Sequence, residues 1–195
     1  MNFFLIIVIS YLIGSFSSAY FVGKYFKKID IRNHGSGNAG ATNALRIMGK
    51  KLGVITFLLD FFKGIIAVNI GILISGYDGG LVAAIFTVIG HNYPIFLNFK
   101  GGKGIATTIA TLAVLEFPIT LISVIVGVFV AAIFKYVSLG SLVFLSTLFV
   151  LSIFGTEEFY IYRTLTILFL MILGYYRHKE NIKRLISGTE NRLGR

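Results

Sequence analysis

The sequence predicts an all-α membrane protein with seven transmembrane helices, the N-terminus outside and the C-terminus in the cytoplasm. Three observations carry that expectation. Only 13% of the 195 residues are charged, while 56% are hydrophobic; a soluble domain carries about a quarter charged residues. The apolar residues fall into runs of the length that crosses a bilayer. The basic residues lie almost entirely in alternate connections between those runs. A soluble protein with a large core is the rival reading, and runs this long and charge-poor argue against it. The chain has no cysteine, which excludes disulfides, thiolate metal sites and a cysteine nucleophile.

The first run covers residues 2–23. No charged segment precedes it and it is too long for the apolar part of a signal peptide, so it reads as a transmembrane helix. Gly14, Ser15, Ser17 and Ser18 let another helix approach closely. Lys24, Lys27 and Lys28 mark its exit from the membrane. Further runs cover 52–74, 80–97, 105–117, 118–134, 138–155 and 160–177. An alternative fuses 105–134 into one helix kinked at Pro118. Its ~45 Å length exceeds a hydrocarbon core of ~30 Å.

Charge separates seven spans from six. With seven, loop 24–51, loop 98–104, the turn at Lys135 and the tail after Tyr176 share one side and hold 16 of the 18 Lys and Arg. The opposite connections hold Asp78, Glu116, Glu157 and Glu158 and no base. With six, the tail changes sides and the asymmetry collapses, so seven is expected. The net charge of +10 therefore reflects topology and anionic lipids or substrates, and no nucleic-acid partner is expected.

The longest polar segment is NHGSGNAGATNALRIMGKK at 33–51. Its glycines, Gly35, Gly37, Gly40 and Gly49, let the backbone curl so that N–H groups converge on an anion. Ser36, Asn38, Thr42 and Asn43 add hydrogen-bonding groups, and Arg46 can grip phosphate bidentately. Residues 90–108, KYVSLGS at 135–141 and HKENIKRLISGTEN at 178–191 fall on the same face. Gly101, Gly102, Lys103 and Gly104 precede an apolar helix, an arrangement that favours an anion; a plain turn with positive-inside lysines is the alternative. The spacing is not that of a Walker A loop. Gly37 and Gly102 are expected at positive φ beside a phosphate.

Asp60 and Lys63 are the charges deep in the second run. They read either as functional groups or as an i,i+3 ion pair holding helices together. His91 reads as structural or as a phosphate or proton ligand. His178 and Asn181 share a helix face in a basic tail that also suits anionic lipid. The three histidines have no clustered acids, so no metal site and no cofactor are expected.

GSGNAGATNALR at 35–46, GHNYPIFLNFKGGKG at 90–104 and HKENIKRLISGTEN at 178–191 resemble the three cytoplasmic motifs of the bacterial integral-membrane acyl-phosphate:glycerol-3-phosphate acyltransferases. The resemblance covers essentially the whole chain, read as a single domain 1–195 with motif loops at 33–51, 98–104 and 178–191. It implies acyl transfer from acyl-phosphate to the 1-hydroxyl of glycerol 3-phosphate, giving lysophosphatidic acid and phosphate, without metal and without acyl-CoA. It implies a multi-pass protein of the bacterial inner membrane with its site on the cytoplasmic face. By resemblance, Gly35–Asn43, including Ser36, hold the donor's phosphate. Arg46, Lys103, His178 and Asn181 hold glycerol 3-phosphate, and Ser141 lines that pocket. Lys63, His91, Lys100 and the glycines at 101, 102 and 104 are further candidates for substrate contact. Expected partners are acyl-phosphate, glycerol 3-phosphate, membrane lipid and the soluble enzyme that makes acyl-phosphate. A small transporter of phosphorylated solutes is the alternative function, weakened by the lack of an inverted repeat; a membrane scaffold leaves the motif chemistry without a purpose.

The charge asymmetry generates a topological test. Reporter tags at the N-terminus should lie outside and tags at the C-terminus inside; both ends on one side would defeat the seven-span count.

Overall fold

A computed structural model describes residues 2–154 and 160–193. Glu157, Glu158 and Arg195, which entered the charge argument, lie outside the described residues. All regular structure among the described residues is helical. The chain divides into two compact units, Met1–Leu115 and Glu116–Arg195.

In the first unit, α1 (Phe3–Ser15) and α2 (Ser18–Val22) together make the first apolar run. The run is broken at Phe16, whose ψ of 110° is extended. A π-helical turn, Gly23–Lys27, ends it. Next comes α3 (Ala41–Met48), then α4 (Lys50–Asn92). α4 is two arms, 50–74 and 77–92, because Ser75 and Gly76 leave helical geometry. Gly76 sits at φ 63°, ψ −155°, a region essentially confined to glycine. The second arm therefore starts three residues before the expected 80 and ends at Asn92, not at 97, where a short 3₁₀ turn (Ile95–Leu97) intervenes. α5 (Ile105–Leu115) closes the unit.

Small residues set the spacing here, as expected where no hydrophobic effect drives helices together. A Cβ on Gly71 would collide with the carbonyl of Gly79, and one on Gly79 with that of Gly71, so the two arms of α4 fold back on each other at backbone contact. Gly14 lies on the carbonyl of Thr87 and Gly90 on that of Tyr11, which seats α1 against the second arm. Ile6, Val68, Ala83 and Ala84 fill the space between. A second cluster, Ala19, Val22, Ile31, Ala39, Ala44, Met48 and Leu52, lies beneath the 33–51 segment and anchors it.

In the second unit, α6 (Phe117–Phe134), α7 (Val137–Phe154), α8 (Ile161–Arg177) and α9 (Lys179–Ile186) follow in order. Pro118 sits in the first turn of α6, where its missing N–H costs nothing. Glu116, at φ −141°, ψ 59°, is non-helical, so 105–134 is not one helix. α6 and α7 meet at Gly127 and Gly140.

Among the described residues, four helical stretches are long and apolar enough to cross a bilayer: Phe3–Lys27, Lys50–Leu97, Phe117–Phe134 and Val137–Phe154. α5 is apolar but has 11 residues.

The α4 turn separates two glycine roles. Gly76→Ala meets no atom within 4 Å and should cost about 1–3 kcal/mol through its backbone alone. Gly71→Leu has no such latitude and should abolish a monodisperse, cooperatively unfolding protein in detergent. Wild-type thermal unfolding of Gly71→Leu would show that the arms do not pack at this point.

Candidate active site

The first motif loop is built around Asn43, the third residue of α3 and 2% exposed. Its Nδ2 donates to the carbonyls of His34 at 2.9 Å and Asn38 at 3.1 Å, with that of Ile31 at 3.3 Å. Its Oδ1 accepts from the Ser36 N–H at 3.1 Å. The amide thereby bonds the loop's own backbone on both its nitrogen and its oxygen. The Gly37 N–H is likewise spent, on His34 O at 3.1 Å, so neither Ser36 nor Gly37 offers its N–H to an anion. Gly37 has a φ of 71°, as expected, and Gly35 one of 60°. At Gly35 a Cβ would also overlap Asn43 Oδ1. Ser36, Thr42 and Arg46 are exposed, and Asn38 is half-buried. The first-turn N–H groups of α3 have no acceptor within the helix.

Arg32 joins this loop to the second. Its guanidinium grips Asp30 at 2.7 and 3.0 Å and donates to Leu97 O at 3.0 Å. The Arg32 hydrogen bond holds the Asp30 carboxyl below the usual carboxylate range. Sequence reasoning treated Arg32 as topological charge alone. An acid two residues before an arginine, at the edge of a motif, was the available signal.

In the second loop Asn98 and Phe99 both adopt left-handed φ, 53° and 60°, which is uncommon for a bulky residue and marks constraint. The N–H groups of Gly101 and Gly102 donate to Asn92 O at 3.2 Å and His91 O at 3.1 Å. These two glycines are thus glued to the end of α4. Gly102 does not hold a positive φ, contrary to expectation; Gly104 does, at 80°. Glycine is needed at 102 because a Cβ would overlap His91 Nε2. Lys100 is exposed and Lys103 half-buried, just ahead of the N-terminus of α5.

Beneath this loop lies a buried polar cluster. Lys63 Nζ donates to Phe16 O at 2.7 Å, pairs with Asp60 Oδ1 at 2.8 Å and lies 2.9 Å from His91 Nδ1. Ser18 Oγ donates to Asp60 Oδ1 at 2.8 Å. Three partners exhaust an ammonium's three hydrogens. The hydrogens of Lys63 are taken up within the cluster, the arrangement an i,i+3 ion pair with Asp60 gives. Phe16 can supply its carbonyl because the first apolar run breaks there.

In the second unit, His178 ends α8 and is 3% exposed. Its Nδ1 lies 2.8 Å from Gly174 O. A carbonyl can only accept, so Nδ1 carries the proton and Nε2 is left as an acceptor in the neutral ring. Asn181, one turn on in α9, donates to Glu190 Oε1 at 2.8 Å. Ser138 Oγ donates to the same oxygen at 3.2 Å, and Arg184 Nε to Oε2 at 2.8 Å. Glu190 thus folds the tail back onto α7 and α9 and fixes Asn181. The sequence places Glu190 in the 178–191 motif with no role assigned to it; a carboxylate in a basic tail was the signal. Ser141 donates to Val137 O at 2.9 Å and is half-buried.

The family model for glycerol-3-phosphate acyltransferase matches residues 4–188. A glycerol-3-phosphate acyltransferase of Halalkalibacterium halodurans is 48% identical over 202 residues, covering 98% of this chain and 95% of the relative. One from Thermoanaerobacter pseudethanolicus is 46% identical over 189 residues, covering 96% and 93%. The solved integral-membrane glycerol 3-phosphate acyltransferase PlsY (YgiH), in its glycerol 3-phosphate form, is 36% identical with a TM-score of 0.92 over 100% of this chain and 96% of that one. Its lysophosphatidic acid form is 34% identical with a TM-score of 0.90, with the same coverage. Matches of this extent, over loops whose glycines, cations and His178 are placed as described, show that the chain belongs to the integral-membrane glycerol-3-phosphate acyltransferase family.

Proposed function

We propose that the chain, acting as one domain over 1–195, transfers a fatty acyl group from acyl-phosphate to the 1-hydroxyl of glycerol 3-phosphate, releasing lysophosphatidic acid and phosphate. It does so on the cytoplasmic face of a bacterial inner membrane that it crosses seven times with its N-terminus outside. The observation that carries the reading is its full-length likeness to a structure in a glycerol 3-phosphate form. The geometry of the first unit supports it, because Arg32 ties together two Gly-rich loops that carry Arg46, Lys100 and Lys103.

Each group then takes a role. The 35–43 loop receives the donor's phosphate through Ser36, Thr42 and the first-turn N–H groups of α3, with Gly35, Gly37, Asn38 and Asn43 setting its shape. Arg46 and Lys103 neutralise phosphate charge, and Lys100 adds to the local field. Lys103 lies ahead of α5, whose N-terminus favours an anion. His178, Asn181 and Ser141 are assigned to glycerol 3-phosphate. The hydroxyl oxygen attacks the acyl carbonyl carbon, the bond from that carbon to the bridging oxygen breaks, and phosphate leaves with the electron pair. Because a mixed anhydride already has a good leaving group, no covalent enzyme intermediate is required. Orientation and charge neutralisation supply the catalysis. The soluble enzyme that makes acyl-phosphate is a partner that would deliver this donor to the membrane surface.

Incubation of the purified protein with acyl-phosphate and glycerol 3-phosphate should release phosphate and lysophosphatidic acid, undiminished by excess EDTA. Acyl-CoA should not substitute, since a bulky nucleotide replaces the compact phosphate. A metal requirement would sink the site model, and equal use of acyl-CoA would sink the donor assignment. Solute flux in sealed vesicles without chemistry would favour a transporter.

The hydroxyl proton passes to the substrate's own phosphate, with His178 positioning the hydroxyl. His178 Nδ1 is held by a neutral carbonyl, whereas a general-base histidine of the hydrolase kind has a carboxylate there to stabilise the imidazolium. Lys103→Ala and Arg46→Ala should each lose ~10²–10³ in rate, while His178→Gln retains measurable turnover. If His178→Gln is as inactive as the cation variants and lacks a pH limb near the imidazole pKa that the wild type shows, His178 is the base.

A further inference from the structure

We propose that the buried Asp60–Lys63 pair is a positioning device that acts through His91 on the Gly101–Gly104 loop and so on Lys103. The inference rests on the role given to Lys103 above. It adds residues that do not touch substrate.

Lys63 is the centre of the argument. His91 Nδ1 lies 2.9 Å from Nζ and 3.4 Å from Asp60 Oδ1; an ammonium has donors and no acceptor, so the shorter contact is made by the Nδ1 lone pair. The ring proton of the neutral imidazole therefore lies on Nε2. Asp60 keeps Lys63 charged and aimed, with Oδ1 at 2.8 Å from Nζ. Ser18 holds the carboxylate at 2.8 Å, and Thr107, the third residue of α5, reaches the Asp60 carbonyl at 3.4 Å. These groups are nearly removed from solvent: Asp60 is 1%, Lys63 5% and His91 6% exposed.

The other side of the ring is the loop. Nε2 occupies the space that a Cβ on Gly102 would need, and the Gly102 N–H is bonded to the carbonyl of His91 itself, at 3.1 Å. His91 is thus held by Lys63 on one edge and holds residue 102 on the other. Residue 103 is the next in the chain. A simple i,i+3 ion pair within the first arm of α4 would need neither the histidine nor a glycine pressed against it. Rotation of the ring, or a proton moved to Nδ1, would break the Lys63 contact and displace the loop bearing Lys103. A displacement of about 1 Å at a reacting centre costs up to roughly 10²-fold in rate.

The test is a double-mutant cycle on kcat/KM for glycerol 3-phosphate, measured on the full-length protein in detergent with saturating acyl-phosphate. Lys63→Met keeps the stem and removes the donors. It should lower kcat/KM by roughly 10- to 100-fold in a wild-type background and by less than about twofold in a Lys103→Ala background, because the positioned group is gone. A fall of the same factor in both backgrounds would mean a general structural effect and overturns the proposal, as does unchanged kcat/KM in Lys63→Met. Where Lys63→Met does not give folded protein, Ser18→Ala removes one hydrogen bond to Asp60 and the same two outcomes decide. Absence of acyl transfer in the wild-type protein would instead refute the function proposed above, so the two failures are distinguishable.

Discussion

An ammonium within an apolar helix is tolerated only when each of its hydrogens has a partner, and much of the first unit follows from meeting that condition for Lys63. One hydrogen needs a carbonyl not used by its own helix, which the break at Phe16 supplies. One needs a counter-charge, supplied one turn earlier by Asp60. One needs a neutral acceptor from another element, supplied by His91 at the end of the second arm of α4. The break in the first apolar run, the fold-back of α4 and the seating of the second loop therefore meet at one nitrogen. Removing one member would leave the others buried and uncompensated, which costs far more than the network contributes when intact.

Backbone proximity is the second constraint, and it recurs in two settings. Between helices, Gly71 with Gly79, Gly14 with Thr87 and Gly90 with Tyr11 allow contacts that any side chain would block. In the motif loops, Gly35 lies against Asn43 and Gly102 against His91 for the same reason. A glycine-rich stretch in this chain is thus as much a packing device as a flexible one.

The apolar runs, their order and the polar loops were legible because composition and period act locally. Helix ends moved by a few residues where local signals compete, as at 77 against 80 and at Asn92 against 97. The break at Phe16 was not legible: the sequence there is apolar or small throughout, and the carbonyl freed at the break is taken up by a lysine 47 positions away. The bonds Asn43 makes to the loop backbone were not legible, and the φ of Gly102 was misread, for a related cause. A short amide beside glycines suggests a ligand contact, and a glycine before a cation suggests a positive φ. Which backbone groups lie within 3 Å is decided by tertiary packing. Arg32 and Glu190 were passed over because a charge in a basic segment looks topological until its partner is known.

Those misreadings alter how the loops can work. Had the N–H groups of Ser36, Gly37, Gly101 and Gly102 been aimed at an anion, the loops would be mutually repelling dipoles waiting for a ligand. Instead these N–H groups bond to Asn43, to His34 and to the end of α4, so the loop backbones are fixed before any substrate arrives. In the function proposed above, binding of charge then falls to side chains on a rigid frame, Arg46 and Lys103 above all, and to the first turns of α3 and α5. Catalysis by charge stabilisation depends on groups that need not reorganise as charge develops. Internal hydrogen bonding of the loops removes that reorganisation at its source, and the buried Lys63–His91 contact extends the same rigidity down into the helices.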